Sequence, residues 1–138
     1  MSETFRSAEG RKVVASGTAE DAGLVEGFHV DAGATRIESV GLAGRKHKGE
    51  LVPWSAVQSF GPDAVMITGT QQTSEDFEPR TLRGARVLST AGFELGSVDD
   101  VSFDAGTGAL ISVSTGTDTI TADRFSSIGS YALVVSAE

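Results

Sequence analysis

Apolar residues along this chain come in short runs separated by Gly, Asp or Pro. Val13-Val14, Val25 to Asp31, Ile37 to Leu42, Glu50 to Val52 and Val65 to Thr68 form one such series. Arg86 to Leu88, Val98 to Asp104, Leu110 to Ser114, Thr119 to Thr121 and Ala132 to Ser136 form a second. Runs of this length and punctuation predict β-strands. No segment sustains an apolar period of 3.6 residues, so no long helix is expected. Trp54-Ser55-Ala56-Val57 and Ala122-Asp123-Arg124-Phe125 each predict one helical turn, with Ser55 or Asp123 near its start. The fold class read from this pattern is all-β, with short helical turns.

The two series are copies of each other. Gly23 to Gly33 aligns with Gly96 to Gly106 at a constant offset of 73, which also relates Ile37 to Leu110 and Val40 to Val113. Upstream, Gly10 and Val13 match Gly84 and Val87 at an offset of 74. Downstream, Val52 to Gly61 matches Ile120 to Gly129 at an offset of 68, and Ala64, Val65 and Ile67 match Ala132, Leu133 and Val135 in that frame. Offsets that change only at loops are the mark of a tandem repeat. The units span residues 8–69 and 82–137. The polar, proline-containing stretch 70–81 between them reads as a linker, in which Phe77 is the one large apolar side chain. Units this small bury a thin core, so packing on each other or dimerisation is expected.

Asp99-Asp100-Val101-Ser102-Phe103-Asp104-Ala105-Gly106-Thr107-Gly108 has the look of a metal loop. A calcium loop of the helix-loop-helix kind needs glycine at its sixth position and a bidentate Glu at its twelfth. Counted from Asp100, those positions hold Ala105 and Ile111, and the match fails. Alternation explains the stretch better: Val101 and Phe103 face a core while Asp100, Ser102 and Asp104 face water. Asp104 to Gly108 then makes a turn, with glycines available for positive φ. The first unit keeps the turn as Asp31-Ala32-Gly33 but replaces Asp99-Asp100 by Glu26-Gly27. In both units the apolar spacing slips from three to two at this point, which predicts a β-bulge at Glu26-Gly27 and at Asp99-Asp100.

The order of these features resembles a known family. Gly84 and Val87 lead, then Leu95-Gly96-x-Val98-x-Asp100-Val101-x-Phe103-Asp104, a glycine turn and an apolar strand. Phe125-Ser126-Ser127-Ile128-Gly129-Ser130-Tyr131-Ala132-Leu133 closes the unit. This pattern is similar to the PRC-barrel family, named from the photosynthetic reaction centre H subunit and found also at the C-terminus of a ribosome maturation factor that binds a small-subunit ribosomal protein. The resemblance covers nearly the whole chain as two copies and implies two tandem small PRC-type β-barrels. The second copy fits better. The first departs from the pattern at Leu24 and Glu26-Gly27, although Leu51-Val52-Pro53-Trp54-x-x-Val57 and Phe60-Gly61-Pro62-Asp63-Ala64 fit. These motifs are turns and core positions, so they bring a fold and no catalytic residues.

Composition narrows the function. The 138 residues contain no cysteine, which excludes disulfides, thiol catalysis and cysteine-ligated metals. No apolar run is long enough to cross a bilayer, and Met1 to Arg6 lacks a signal-peptide pattern, so a cytoplasmic protein without membrane insertion is expected. The net charge is −8. Residues 1–73 carry 7 basic and 9 acidic side chains, residues 74–138 carry 4 and 10, so the second half of the chain is the acidic one. That balance argues against nucleic acid as the main partner, because phosphate binding needs clustered cations.

Few side chains suggest chemistry. His29 and His47 are the only histidines. His29 lies between Phe28 and Val30 and is expected on the solvent face of its strand. No Ser-His-Asp set, phosphate loop or dinucleotide fingerprint is present, and no cofactor or metal is expected. Arg45-Lys46-His47-Lys48, between Gly44 and Gly49, is the one basic run and a candidate contact for an anionic partner. Trp54, after Pro53, is expected to be at least half buried, as a core residue or a partner-binding anchor. Tyr131, in place of Asp63, is expected at the surface. The reading is a non-enzymatic interaction or assembly adaptor that meets a protein partner or another copy, as a homodimer, through strand edges and the acidic second unit. The rival readings are an RNA- or ribosome-associated factor and a protein holding a small ligand or ion between its units.

Overall fold

The structure is a computed structural model and describes residues 2–44, 50–68 and 80–136. It is all-β, as the alternation predicts. The first unit forms one six-stranded sheet from β2 (Lys12–Ala15), β3 (Glu20–Val30), β4 (Ile37–Ala43), β5 (Leu51–Pro53), β6 (Val57–Phe60) and β7 (Ala64–Ile67), in the order β5-β4-β3-β2-β7-β6. Its β2 pairs parallel with β7. The second unit repeats this with β8 (Arg86–Ser89), β9 (Glu94–Ser97), β10 (Asp100–Asp104), β11 (Leu110–Ser114), β12 (Thr119–Thr121), β13 (Phe125–Ile128) and β14 (Ala132–Val135). Both predicted helical turns are present as 3-10 turns, Trp54–Ala56 and Ala122–Arg124. Neither carries a side-chain cap: Pro53 and Thr121, two residues ahead of Ser55 and Asp123, occupy the cap positions.

The long β3 of the first unit corresponds to two strands in the second. The register of β3 against β4 shifts between Val25 and Gly27, which is the bulge predicted at Glu26. At the matching place Val98 and Asp99 interrupt the strand, so β9 and β10 belong to different sheets: β13-β14-β8-β9, and a sheet in which β10 lies between β11 and a strand at Ser2–Thr4, with β12 beyond β11.

The sheet containing β10 borrows its edge from the start of the chain. Residues 2–8, mostly ahead of the first unit as the sequence pattern bounds it, form β1 (Ser2–Thr4) and one helical turn, α1 (Phe5–Ala8). Thr4 and Ser7 cap that turn reciprocally, each side chain accepting from the other's backbone N–H. β1 pairs with β10 of the second unit, Glu3 opposite Phe103. In return the carbonyl of Arg80, which leads into the second unit, accepts from Val30 N on β3 of the first at 2.9 Å. The leading segments therefore cross over. Their backbone bonds keep the repeat offsets: Gly10 N to Val25 O answers Gly84 N to Val98 O, and Arg11 N to Ala8 O answers Ala85 N to Leu82 O.

The core is one continuous cluster rather than two thin ones. Phe5 stacks on Phe28 of the first unit at 4.4 Å between ring centres and meets Phe103 of the second at 5.5 Å. Phe60 and Trp54 of the first unit also approach Phe103, at 5.4 and 6.4 Å. Pooling apolar faces in this way removes the burial deficit that a unit of this size has alone. Residues 69–79, which include Phe77 and most of the predicted linker, lie outside the described residues.

Candidate functional site

The carboxylates of the stretch Asp99 to Gly108 have protein partners. Asp104 accepts from the backbone N–H of Gly106 at 2.7 Å and Thr107 at 3.2 Å, and these bonds hold its carboxyl below the ordinary aspartate range. Asp100 accepts from the backbone N–H of Arg6 and of Val101, and Asp99 pairs with the Arg6 guanidinium at 3.4 Å. Asp31, the counterpart of Asp104, takes three bonds from Thr35 and Arg36. Burial pushes the Asp31 carboxyl up, but those bonds outweigh it and the net direction is down. Among the described residues no group of three or more His, Asp or Glu side chains is placed to hold a metal. The left-handed backbone of the two turns is carried by Ala34 and Gly108, at φ 55° and 79°, and not by Gly33 or Gly106.

His29 departs from the solvent-facing expectation. It is half-buried, and its Nδ1 is enclosed without a hydrogen-bond partner, as is Oγ of Ser39 directly across on β4. Burial lowers its pKa, and the carboxylates of Glu26 and Glu38 offset this only in part.

The basic run Arg45, Lys46, His47 and Lys48 lies outside the described residues. Trp54 is 9% exposed and packs between the units. Its ring lies against Gly108 of the second unit so closely that a Cβ there would be 2.8 Å from Trp54 Cε2. Beside it runs a groove of about 320 Å³, lined by Trp54, Val57, Gln58, Ser59, Phe60 and the turn residues Ala105 and Gly106. β6 is the edge strand of its sheet, so this groove borders a strand edge. The equivalent place on the other side of the molecule is closed: Ile128 N, the counterpart of Phe60, donates to Ala32 O, the counterpart of Ala105, at 2.9 Å. At the matching positions Trp54 stands where the second unit has Ala122.

A second groove, of about 540 Å³, lies on the outer face of the second unit among Thr81, Ala85, Arg86, Glu94, Gly129 and Tyr131. Tyr131 is 66% exposed, and its ring lies 4.6 Å from the Arg86 guanidinium, which donates to the Tyr131 hydroxyl at 2.7 Å.

Sequence reasoning singled out neither Arg11 nor the Glu9–Arg83 pair. Arg11 is nearly buried and reaches the Glu3 carboxylate twice at 3.1 Å and the Gly61 carbonyl at 2.9 Å. Glu9 and Arg83 occupy matching positions of the two units at the offset of 74, and they form an ion pair with each other. Only the repeat alignment carried a hint of this, since Glu stands opposite Arg in it.

No described helix is long and apolar enough to cross a membrane. A comparison with curated proteins finds no match to the chain. The family model of the PRC-barrel domain matches residues 3–73 and again residues 74–128. The hydrogen-bond correspondences between the units agree with that duplication, and the chain belongs to the PRC-barrel domain family as two tandem copies.

Proposed function

We propose that this protein is a non-enzymatic, cytoplasmic adaptor that binds a protein partner along the groove beside Trp54. One observation carries the reading. The two units are related by an approximate two-fold, and the contact that closes one side, Ile128 to Ala32, is absent on the other, where the groove runs instead. An edge strand beside an apolar floor suits an extended segment: backbone bonds supply affinity and a pocket supplies selectivity. Trp54 and Phe60, stacked with ring centres 5.9 Å apart, form that floor. Gln58 and Ser59 are its exposed rim.

The test is a pull-down from the source organism's lysate with tagged full-length protein, alongside a Ser59→Arg bait. A specific protein enriched by the native bait and lost with Ser59→Arg supports the reading. Recovery of the bait alone at low salt, or of nucleic acid that nuclease removes, overturns it. A third bait with Arg45, Lys46 and Lys48 changed to Glu reports separately on the basic run.

A further inference from the structure

The 540 Å³ groove of the second unit lies where the first unit holds the nearly buried Arg11. In the first unit Arg11 runs between the Gly61 carbonyl, 2.9 Å from its Nη1, and the Ser7 carbonyl, 3.3 Å from its Nη2. The Glu3 carboxylate neutralises it, and the Phe60 ring lies 5.4 Å from its guanidinium carbon. The repeat offsets turn these residues into Ala85, Gly129, Thr81 and Ile128 of the second unit. Ala85, Gly129 and Thr81 all line the groove, and Ile128 is buried. The backbone frame matches around Gly61 and Gly129 and around Arg11 and Ala85, because the bonds Gly61 N to Ala64 O and Gly129 N to Ala132 O correspond, as do Arg11 N to Ala8 O and Ala85 N to Leu82 O; Thr81 stands outside that match, since Ser7 lies in the helical turn α1 and Thr81 does not. The groove thus includes the position from which an arginine side chain extends in the first unit, where the second unit has alanine.

We infer that this groove receives an arginine side chain from the protein partner, taking the place that Arg11 takes in the first unit. The inference rests on the adaptor reading and adds a chemical requirement for the partner. The carbonyl of Gly129 repeats the acceptor of Gly61. A planar guanidinium spans two separated acceptors with its fork of N–H groups, whereas an ammonium is a point donor. Glu3 has no charged counterpart, since the matching position is Phe77, but Glu94 lines the groove and supplies a carboxylate. The two arginines of the groove are already engaged. Arg83 is bonded to the Glu9 carboxylate and the Asp99 carbonyl, and Arg86 is bonded to Tyr131, with Glu94 at 3.9 Å. An anion entering here would compete with the carboxylates already in place on Arg83 and Arg86.

The experiment is an amide NMR titration of the full chain with N-acetyl-arginine amide, N-acetyl-lysine amide and inorganic phosphate in turn. The arginine probe is expected to shift Ala85, Gly129 and Ser130 saturably, with an apparent affinity about tenfold above the lysine probe. Ala85→Arg, which refills the groove from within, is expected to abolish that response and to raise the melting temperature. Glu94→Gln, on the open edge strand β9, is expected to weaken the response and leaves a folded control if Ala85→Arg misfolds. An equal response to lysine, no response at these amides, or phosphate shifts centred on Arg83 and Arg86 would each overturn the inference. The titration reads the groove alone, so a partner recovered in the pull-down alongside a failed titration refutes this inference and leaves the adaptor reading intact.

Discussion

Arg36 and Ala109 are the same position in the two copies, 73 residues apart, and they meet each other in an antiparallel bridge between the units. The bridge is reciprocal: Ile37 N donates to Gly108 O at 2.8 Å and Leu110 N to Thr35 O at 2.9 Å. A residue facing its own counterpart is the signature of an isologous, two-fold interface, here enclosed within one chain. Glu9 and Arg83 lie on the same approximate axis. In a symmetric dimer of identical units such a position would face itself, Glu on Glu or Arg on Arg. Joining two units in one chain lets the two sides differ and allows an ion pair there.

That pair is testable by charge reversal. Glu9→Arg and Arg83→Glu are each expected to destabilise the protein, and the double reversal to recover most of the loss. The coupling is about 1 kcal/mol or less, because both side chains are about a third exposed. Urea unfolding of the four proteins measures it.

Gly108 is held by two separate constraints. Its φ of 79° disfavours any side chain, and a Cβ would lie only 2.8 Å from Trp54 Cε2. Gly108→Ala is expected to cost about 2–4 kcal/mol, the sum of backbone strain and overpacking. Gly116, at φ 94° with open space around it, carries the strain alone, so Gly116→Ala should cost only about 1 kcal/mol. Equal losses in the two variants would refute the close approach of Trp54.

The shared core predicts one unfolding transition. Phe103 is fully buried and contacts Phe5, Phe28, Phe60 and Trp54 across the units. Phe103→Ala is expected to cost about 3–5 kcal/mol. It should lower the unfolding signals of both units together, including Trp54 fluorescence from the first. Separate transitions for the two units would contradict the common core.

Acid should weaken the fold in two stages. The His29 pKa is lowered by burial, so the unfolded chain takes up a proton first and stability falls as pH drops below about 6.5. His29→Gln is expected to flatten that stage. Asp31 and Asp104 have lowered pKa values, so their contribution is complete above about pH 4 and is lost as pH falls through their folded values. Asp31→Asn is expected to flatten the second stage while lowering stability at neutral pH. Melting temperature against pH, for the native protein and both variants, reads the two stages separately.

Much of the architecture is legible in one dimension because the repeat writes it twice. The strands, the bulge at Glu26, both helical turns and the shared Asp turns follow from alternation and punctuation within a few residues of each other. The crossover of Ser2 to Ala8 is not legible. A three-residue strand and a single helical turn leave no periodic trace, and their partner β10 lies nearly a hundred residues away. His29 also reads wrongly, since alternation assigns it to the face opposite Phe28 but not what covers that face.

By itself the sequence determined the all-β class, the duplication, the turn chemistry and the family, because each depends on local backbone preference and spacing that repeat at fixed offsets. Only the tertiary structure decided which matching positions are filled and which are open: Trp54 against Ala122, Arg11 against Ala85, Glu9 against Arg83. Those differences acquire meaning only when the units are packed. An arginine becomes a core strut, and its missing counterpart a groove, through acceptors that other segments bring to it.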